Sequence, residues 1–366
     1  MKKPLADLRI AVLIDAWFPF QGGGQVHVRE TIKRLKKNHG CQVVVFHGFS
    51  ALLPARLVWN ILVIPQVIIA HIDKPFNLIH AHAYSAGLSA KILSLILRLP
   101  VVYTVHGSNS LDIFSSAKLG KAMGMSPAFR LKYFFEHWLL TGIKYDAQIS
   151  VAQNFLDYSN INKRIYLIPN GVEVNKLKIS RNKSKIRMLF VGRLEKIKGL
   201  DLLFQALAMI KQKLPELELR VVGDGSQKRE LEALVDELNL DKVIKFLGEK
   251  RKAELVKEYS QADIFVLLSL SEGQPLTLLE AWAARLPVIV TRVGNNPYMV
   301  EEGRDGFLAK PGSIKSLGKT LIKAFQKRKK WPLLGERGYM KVRKDYTWDK
   351  TVKKIAGVYS QVLEYD

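Results

Sequence analysis

Short apolar runs of strand length alternate with amphipathic stretches of helix length, and this alternation appears in two successive series along the chain. In the first series, residues 8–15, 42–46, 78–82 and 101–106 predict strands, and residues 25–37 predict a helix. Apolar strands joined through helices are typical of parallel sheets that are buried on both faces. The first series therefore predicts a doubly wound α/β domain.

The second series begins after residues 172–185, which are polar, rich in lysine and without apolar periodicity, as in an interdomain linker. Its predicted strands are 187–192, 218–223, 244–247, 264–268 and 288–291, and its predicted helices are 199–213, 227–238 and 275–284. We therefore expect two Rossmann-like domains, 1–172 and 186–345, that face each other across a cleft. Ligands of such sheets bind beyond the carboxyl ends of the strands.

The composition fits a globular protein in a reducing compartment. Of the 366 residues, 48% are hydrophobic and 25% are charged, which is enough apolar material for two cores and argues against disorder. Cys41 is the single cysteine, so an internal disulfide is excluded. Asp7 and Arg9 interrupt the apolar start, so we expect no secretory signal and a cytoplasmic location.

A formal net charge of +24 requires anionic surroundings, for which nucleic acid, anionic lipid and anionic substrates are the candidates. No regularly spaced aromatic residues accompany the basic residues, so we expect no nucleic-acid partner. The apolar stretch 57–70 contains Pro65 and is too short to span a bilayer. It is interpreted as a core helix, with an element that touches a membrane surface as the alternative.

Several loops after predicted strands carry groups that suit a phosphate. Gly23 and Gly24 precede a helix, whose first N–H groups can face an anion, although a flexible turn explains them equally well. Arg193 and Lys198 follow the first strand of the second series, and Arg and Lys both bind phosphate oxygens. Gly223 also ends a strand, where a turn is the first interpretation and close approach of a ligand the second.

The segment 269–280 is the most informative part of the sequence. Glu272 precedes a predicted helix and Glu280 lies two turns inside it, among apolar neighbours. A carboxylate in such surroundings needs a partner, and either the hydroxyls of a ribose or a buried cation would serve. Pro275 is placed in the first turn of the helix, so the free N–H groups after Gly273 form a potential anion site.

Histidines occur at the ends of two predicted strands. His80 and His82 alternate on one strand, and we interpret them as hydrogen-bonded polar groups because no metal-binding set accompanies them. His106 ends the next strand and is expected to contact a sugar hydroxyl or a phosphate, with a purely structural histidine as the alternative.

Taken together, these motifs resemble those of the group 1, family 4 retaining glycosyltransferases of GT-B fold. The motifs that carry the resemblance are Gly22–Gly24, His106-Gly107, Pro169–Val172, Val191–Leu194 with Lys198-Gly199, Gly223–Gly225, and the pair Glu272 and Glu280 followed by Pro287–Ile289. The resemblance extends over nearly the whole chain. It also implies that a final helix, 346–365, packs back on the first domain.

The resemblance implies a role for each candidate residue. Cations at the start of the second domain would bind the diphosphate, one glutamate would hold the ribose, the other would meet the donor sugar, and a histidine would lie beside the reacting sugar. The implied catalytic residues are His106, Glu272, Arg193 and Lys198, and the implied substrate-binding residues are Gly23, Gly24, Gly223, Gly273, Gln274, Pro275, Leu276 and Glu280.

We therefore expect a hexosyltransferase that moves a sugar, with retention, from a nucleotide diphosphate sugar to a saccharide or lipid-linked acceptor. No Asp-x-Asp motif occurs in the chain, so neither a metal nor another cofactor is expected. Peripheral contact with the anionic inner face of the cell membrane is a further hypothesis. The alternatives are a nucleotide-sugar epimerase on the same fold and a binding protein whose active site has decayed.

Overall fold

The computed structural model describes residues 5–17, 22–48, 53–82, 84–106, 137–138, 141–157, 161–174, 185–214 and 216–364. The chain divides into two compact units. The described residues up to Gly171, together with those from Trp348 onward, form the first unit, and those from Val172 to Thr347 form the second. No helix in these ranges is both long enough and apolar enough to cross a membrane.

The described strands and helices are numbered in chain order. The strands are β1 (Arg9–Ile14), β2 (Gln42–His47), β3 (Leu78–His82), β4 (Val101–Val105), β5 (Ala147–Ser150), β6 (Ile165–Leu167), β7 (Ile186–Val191), β8 (Leu217–Val222), β9 (Ile244–Phe246), β10 (Ile264–Leu267), β11 (Val288–Thr291) and β12 (Gly306–Ala309). The helices are α1 (Gly23–His39), α2 (Leu53–Asp73), α3 (Tyr84–Leu97), α4 (Leu200–Ile210), α5 (Lys228–Glu237), α6 (Lys252–Gln261), α7 (Leu276–Ala283), α8 (Asn296–Met299), α9 (Ile314–Gln326), α10 (Trp331–Asp345) and α11 (Trp348–Leu363).

The first unit contains a parallel sheet with the strand order β2-β1-β3-β4-β5-β6. One face of this sheet packs against α1 and α11, whose buried side chains include Val28, Leu35 and Tyr359. The other face packs against α2 and α3, through side chains such as Val63 and Leu93. Because the strand order reverses between β1 and β3, the loops that follow these two strands diverge at this point.

The second unit contains a parallel sheet with the order β12-β11-β10-β7-β8-β9. This is the order of the dinucleotide-binding α/β fold, in which the switch point lies between the first strand and the fourth. Here those strands are β7 and β10, which pair in parallel with Phe265 opposite Leu189. The loops after β7 and β10 therefore leave the sheet side by side and then diverge.

The prediction of two doubly wound α/β units is confirmed, and the predicted strands agree with the observed ones to within a residue or so at each end. The final helix runs from Trp348 to Leu363 rather than from 346 to 365. Pro275 does not lie in the first turn of its helix but caps it, since α7 begins at Leu276. Most of the predicted linker, residues 175–184, lies outside the described residues.

The interpretation of residues 57–70 as a core helix is wrong in part. They belong to the longer helix α2, which buries Trp59, Val63 and Val67 against the sheet. The side chains on the opposite side of α2 are exposed although they are apolar, with Ile61 71% and Ile69 67% accessible. An apolar residue therefore does not by itself mark a buried position in this helix.

Two helical glycines offer a matched test of the packing. A Cβ at Gly335 in α10 would overlap the carbonyl oxygen of Arg285, whereas Gly357 in α11 is exposed with open space around it. We expect Gly335→Ala to lower the free energy of unfolding by roughly 2–3 kcal/mol through overpacking. Gly357→Ala should raise it by roughly 0.5–1 kcal/mol, because alanine favours the helix more than glycine does. Urea denaturation measures both, and a stabilising Gly335→Ala would contradict the packing described here.

Candidate active site

Lys198 lies in the loop that follows β7. It ends a short 3-10 turn, Lys196–Lys198, and the next residue, Gly199, has a φ of 63°. A Cβ on Gly199 would overlap the carbonyl oxygen of Leu268, which is in the segment after β10. A glycine here satisfies both the left-handed backbone and the close approach. The loop after β7 is therefore packed directly against the segment after β10.

This packing brings Lys198 to Glu272. The Nζ of Lys198 lies 2.5 Å from Oε1 of Glu272, and Oγ of Ser269 donates a hydrogen bond of 2.7 Å to the same oxygen. The Glu272 side chain is only 9% exposed, so its charge is balanced within the protein. An ion pair thus occupies the switch point of the second sheet, where α/β folds bind ligands.

The turn that carries Glu272 is supported from one side by the segment after β11. The carbonyl oxygen of Gly273 accepts a hydrogen bond of 3.0 Å from the backbone N–H of Asn295. Gly294 has a φ of 51°, and a Cβ there would overlap the carbonyl oxygen of Glu272. Pro275 then caps α7, whose first N–H groups have no partner within the helix. The result is a rigid turn that ends at the positive pole of a helix.

Glu280 lies in the middle of α7 and has a tyrosine as its partner. The hydroxyl of Tyr259, in α6, donates a hydrogen bond of 2.7 Å to Oε2 of Glu280. Burial raises the pKa of the Glu280 carboxyl, and burial next to Glu280 raises the pKa of Tyr259 well above its usual value. None of the ion pairs among the described residues involves Glu280. The partner of Glu280 is therefore a tyrosine hydroxyl and not the buried cation that was the predicted alternative. A carboxylate can accept several hydrogen bonds, so Glu280 can still accept others.

The remaining predicted residues of the second unit lie near this turn in sequence or in the neighbouring loops. Arg193 follows β7 and is exposed, and Gln274 is buried. Gly223 has a φ of 139°, and a Cβ there would overlap the carbonyl oxygen of Gly192. The loop after β8 is thus packed against the loop after β7. This backbone approach accounts for Gly223 without a ligand, in line with its first interpretation as a turn residue.

In the first unit, the structure brings together the glycine run and His106. Gly22 caps α1, and Gly23 and Gly24 form its first turn. A Cβ on Gly24 would lie 3.5 Å from the imidazole of His106, which follows β4. Nε2 of His106 is 3.1 Å from Nδ1 of His82, whereas Nδ1 of His106 is buried and has no hydrogen-bond partner among the described residues.

Two further histidines extend this group, which we call the histidine cluster (His27, His80, His82 and His106). The ring of His27 lies 4.8 Å from that of His106, and its Nδ1 is 2.8 Å from Oδ1 of Asn170. His80 is held by the Tyr359 and Thr104 hydroxyls, as expected for a hydrogen-bonded core histidine. Burial lowers the pKa of His27 to about 4 and that of His80 to about 3, and it holds the pKa values of the other two well below the usual range. The cluster is therefore neutral at pH 7.

Each of the two units is matched by a model of a known protein family. The family model "Glycosyl transferases group 1" matches residues 172–340, and the model "Glycosyltransferase Family 4" matches residues 21–176. The chain is a group 1, family 4 glycosyltransferase. An uncharacterized glycosyltransferase of Methanocaldococcus jannaschii is 28% identical over 95% of this chain and 97% of its own.

Solved structures share the fold of this glycosyltransferase. Sucrose-phosphate synthase from Thermosynechococcus elongatus superimposes with a TM-score of 0.83 at 20% identity, over 98% of this chain and 100% of that one. Anabaena HepE in complex with UDP-glucose gives a TM-score of 0.73 at 20% identity, over 96% of this chain and 99% of that one. The two units of the glycosyltransferase thus form the GT-B fold, as the motifs predicted.

Three side chains that contact the candidate site residues are absent from the sequence-based predictions. Tyr259 contacts Glu280 only through tertiary packing of α6 on α7. Ser269 lies inside the motif that was singled out, and its hydroxyl was a usable signal for a partner of Glu272. His27 lies inside α1, and nothing local in the sequence indicates its contact with His106.

The histidine cluster predicts that the glycosyltransferase is sensitive to acid. Because folding holds these imidazoles neutral, the unfolded chain binds more protons than the folded one below about pH 6.5. The free energy of unfolding should therefore fall as the pH is lowered from about 7 to 5. His80→Gln should reduce this slope, because it removes one of the four buried imidazoles. Denaturant unfolding at pH 7.5, 6.5 and 5.5 measures the slope, and equal stability at these pH values would contradict a neutral cluster.

Proposed function

We propose that this glycosyltransferase moves a hexose-type sugar from a nucleotide diphosphate sugar to a saccharide or lipid-linked acceptor, with retention and without a metal. The observation that carries the proposal is the contact of Lys198 with Glu272 at the switch point of the second sheet, beside the start of α7. A cation, a carboxylate and free helix N–H groups in one turn suit a ligand that carries both phosphate and hydroxyl groups.

In this proposal Lys198 and Arg193 bind the diphosphate. Lys198 is paired with Glu272, and phosphate oxygens offer its ammonium a second and more highly charged partner. Arg193 lies in the loop after β7, as Lys198 does, and its side chain is exposed. Its guanidinium is therefore able to bind phosphate from solution. As the bond from the sugar to the phosphate breaks, these cations and the N–H groups at the start of α7 stabilise the charge of the leaving group.

The carboxylates bind the hydroxyl groups of the donor. Once the Lys198 ammonium binds the phosphate instead of Glu272, Glu272 accepts hydrogen bonds from the sugar. The backbone of the following turn contacts the sugar and phosphate, through Gly273, Gln274, Pro275 and Leu276. Glu280 accepts the ribose hydroxyls, since Tyr259 occupies only part of its hydrogen-bonding capacity. The approach of Gly223 to Gly192 already accounts for a glycine at this position, and we propose in addition that the lack of a side chain lets the donor come close to the loop after β8.

The first unit is proposed to contact the substrate through His106, Gly23 and Gly24. Nδ1 of His106 supports this role because it is buried and has no partner in the part of the chain that the structure describes, and such an atom costs free energy that a substrate hydroxyl would recover. His82 holds the opposite ring nitrogen and so fixes the orientation of the imidazole.

The similar proteins suggest which compounds to examine first. HepE has been crystallised with UDP-glucose, and the name of sucrose-phosphate synthase points to a sugar phosphate product. We therefore propose UDP-glucose as the first donor and phosphorylated or lipid-linked saccharides as the first acceptors. A lipid-linked acceptor also fits the proposed cytoplasmic location at the inner face of the cell membrane.

Lys198 and Lys196 allow a controlled test, because they lie two residues apart in the same 3-10 turn. Lys198→Ala and Arg193→Ala should each lower turnover by about 10²–10³-fold, because each removes a charge that stabilises the leaving diphosphate. The exposed Lys196, which has no assigned role, should be replaceable by alanine with little change. Steady-state turnover with the active donor measures these effects. Near-normal turnover of Lys198→Ala would show that Lys198 does not bind the diphosphate.

Glu280 can be tested by deleting the hydroxyls that it is proposed to bind. If UDP binds to the wild-type protein, 2′,3′-dideoxy-UDP should bind about 10–100-fold more weakly, the range for hydrogen bonds to a charged group. Glu280→Ala should bind both nucleotides with similar affinity. Titration calorimetry measures the four affinities, and a variant that still prefers UDP to the same extent would show that Glu280 does not hold the ribose.

The stereochemistry and the metal requirement are tested together. In the proposed reaction, the bond from C1 to the phosphate oxygen breaks and the bond from C1 to the acceptor oxygen forms on the same face. The acceptor proton passes to the departing phosphate. We expect NMR of the product formed in the presence of EDTA to show the anomeric configuration of the donor. An inverted product, or activity that EDTA abolishes and Mn²⁺ restores, would contradict the proposal.

A further inference from the structure

Helices α2 and α3 form one layer on a single face of the first sheet. They pack against each other, and both bury side chains in the same core, Val63 and Val67 from α2 and Ala90 and Leu93 from α3. Because their inner sides cover the same face of the sheet, their outer sides belong to one outward-facing surface.

This outer surface is apolar. On α2 its exposed side chains are three, four or seven residues apart and are 54–75% accessible, and on α3 they are three or four residues apart and are 38–71% accessible. They are Val58, Ile61, Leu62, Ile69 and Ile72 on α2, and Leu88, Ile92, Leu95 and Ile96 on α3. We call these nine side chains the apolar surface. Apolar residues on both sides of a helix are typical of helices that are covered by protein or by lipid.

The second unit provides a contrast within the same chain. Its exposed large hydrophobic side chains, Met209, Val256, Tyr298, Leu333 and Met340, are distributed over four helices. Scattered apolar residues of this kind are normal on a protein surface, whereas a contiguous group marks an interaction site. The apolar surface is therefore a feature of the first unit rather than a general property of this chain.

The charges around the apolar surface are mostly positive. Between Val58 and Ile72, α2 contains no charged residue, and α3 contains only Lys91. Lys74 and Arg98 follow the two helices and are exposed, and Asp73, the last residue of α2, is the acidic residue next to Lys74 in sequence. Lys74, Lys91 and Arg98 thus form a basic border of the apolar surface, and the whole chain has a net charge of +24. A basic border attracts an anionic surface and repels a second copy of itself.

We infer that the apolar surface docks on an anionic lipid bilayer. The nine side chains enter the boundary between headgroups and acyl chains, and the bordering cations contact lipid phosphates, as for interfacial helices with a basic margin. The inference goes beyond the proposed transfer reaction, and it does not depend on it because docking requires neither donor nor acceptor.

Vesicle flotation with the full-length protein tests this inference. At low salt, wild-type protein should float with vesicles of phosphatidylcholine containing 30% phosphatidylglycerol, used here as the probe, and far less with pure phosphatidylcholine. The triple variant Ile61→Ser, Ile69→Ser and Leu95→Ser should bind the anionic vesicles at least tenfold more weakly. The control variant Met209→Ser, Leu333→Ser and Met340→Ser, altered at exposed apolar positions of the second unit, should bind as the wild type does.

Three results would overturn the inference: no flotation of the wild type, equal flotation with neutral vesicles, or unchanged flotation of the triple variant. A wild-type dimer that the triple substitution dissociates in sedimentation velocity would also overturn it, because a second copy would then be the occupant. Circular dichroism and nucleotide affinity, expected to be the same in all three proteins, separate a docking defect from misfolding. The same affinities report on the donor site independently of flotation.

Discussion

The pairing of β7 with β10 is the constraint on which the candidate site depends. Parallel pairing places the ends of both strands at one edge of the sheet, and Gly199 allows the two following segments to approach closely. Lys198 and Glu272, 74 residues apart in sequence, are thereby held in direct contact. The order of the strands therefore determines which side chains meet, and their chemistry determines what they can bind. Similar positions at the edges of α/β sheets serve many chemistries for the same reason.

Burial controls the chemistry of the remaining groups. In the second unit, Glu280 is removed from water but is given the hydroxyl of Tyr259, so that it remains a hydrogen-bond acceptor in apolar surroundings. In the first unit, burial holds four imidazoles neutral, and one ring nitrogen of His106 finds no partner within the described ranges. Both arrangements cost free energy in the absence of substrate, which is typical of sites that are organised before the ligand arrives.

Nine of the twelve described strands, and the positions of Lys198 and Glu272 just beyond two of them, could be predicted because they follow from local patterns: apolar runs of strand length, and polar residues beyond their ends. The short strands β5, β6 and β12 were not predicted, and the contact of Lys198 with Glu272 could not be, since it requires the pairing of β7 with β10. Tyr259 could not, since only the packing of α6 on α7 brings it to its partner. The burial of α2 was judged wrongly for a related reason. Helix α2 is apolar on both sides, and such a helix has the same sequence pattern whether its outer side is covered by protein or exposed to its surroundings.

The most direct test of the account is a crystal structure with a bound nucleoside diphosphate sugar. The account predicts the diphosphate within hydrogen-bonding distance of Arg193 and of Lys198, whose ammonium has moved from Glu272 to phosphate oxygens, with the ribose hydroxyls on Glu280. A nucleotide bound at another part of the second unit, with the contact between Lys198 and Glu272 unchanged, would contradict it.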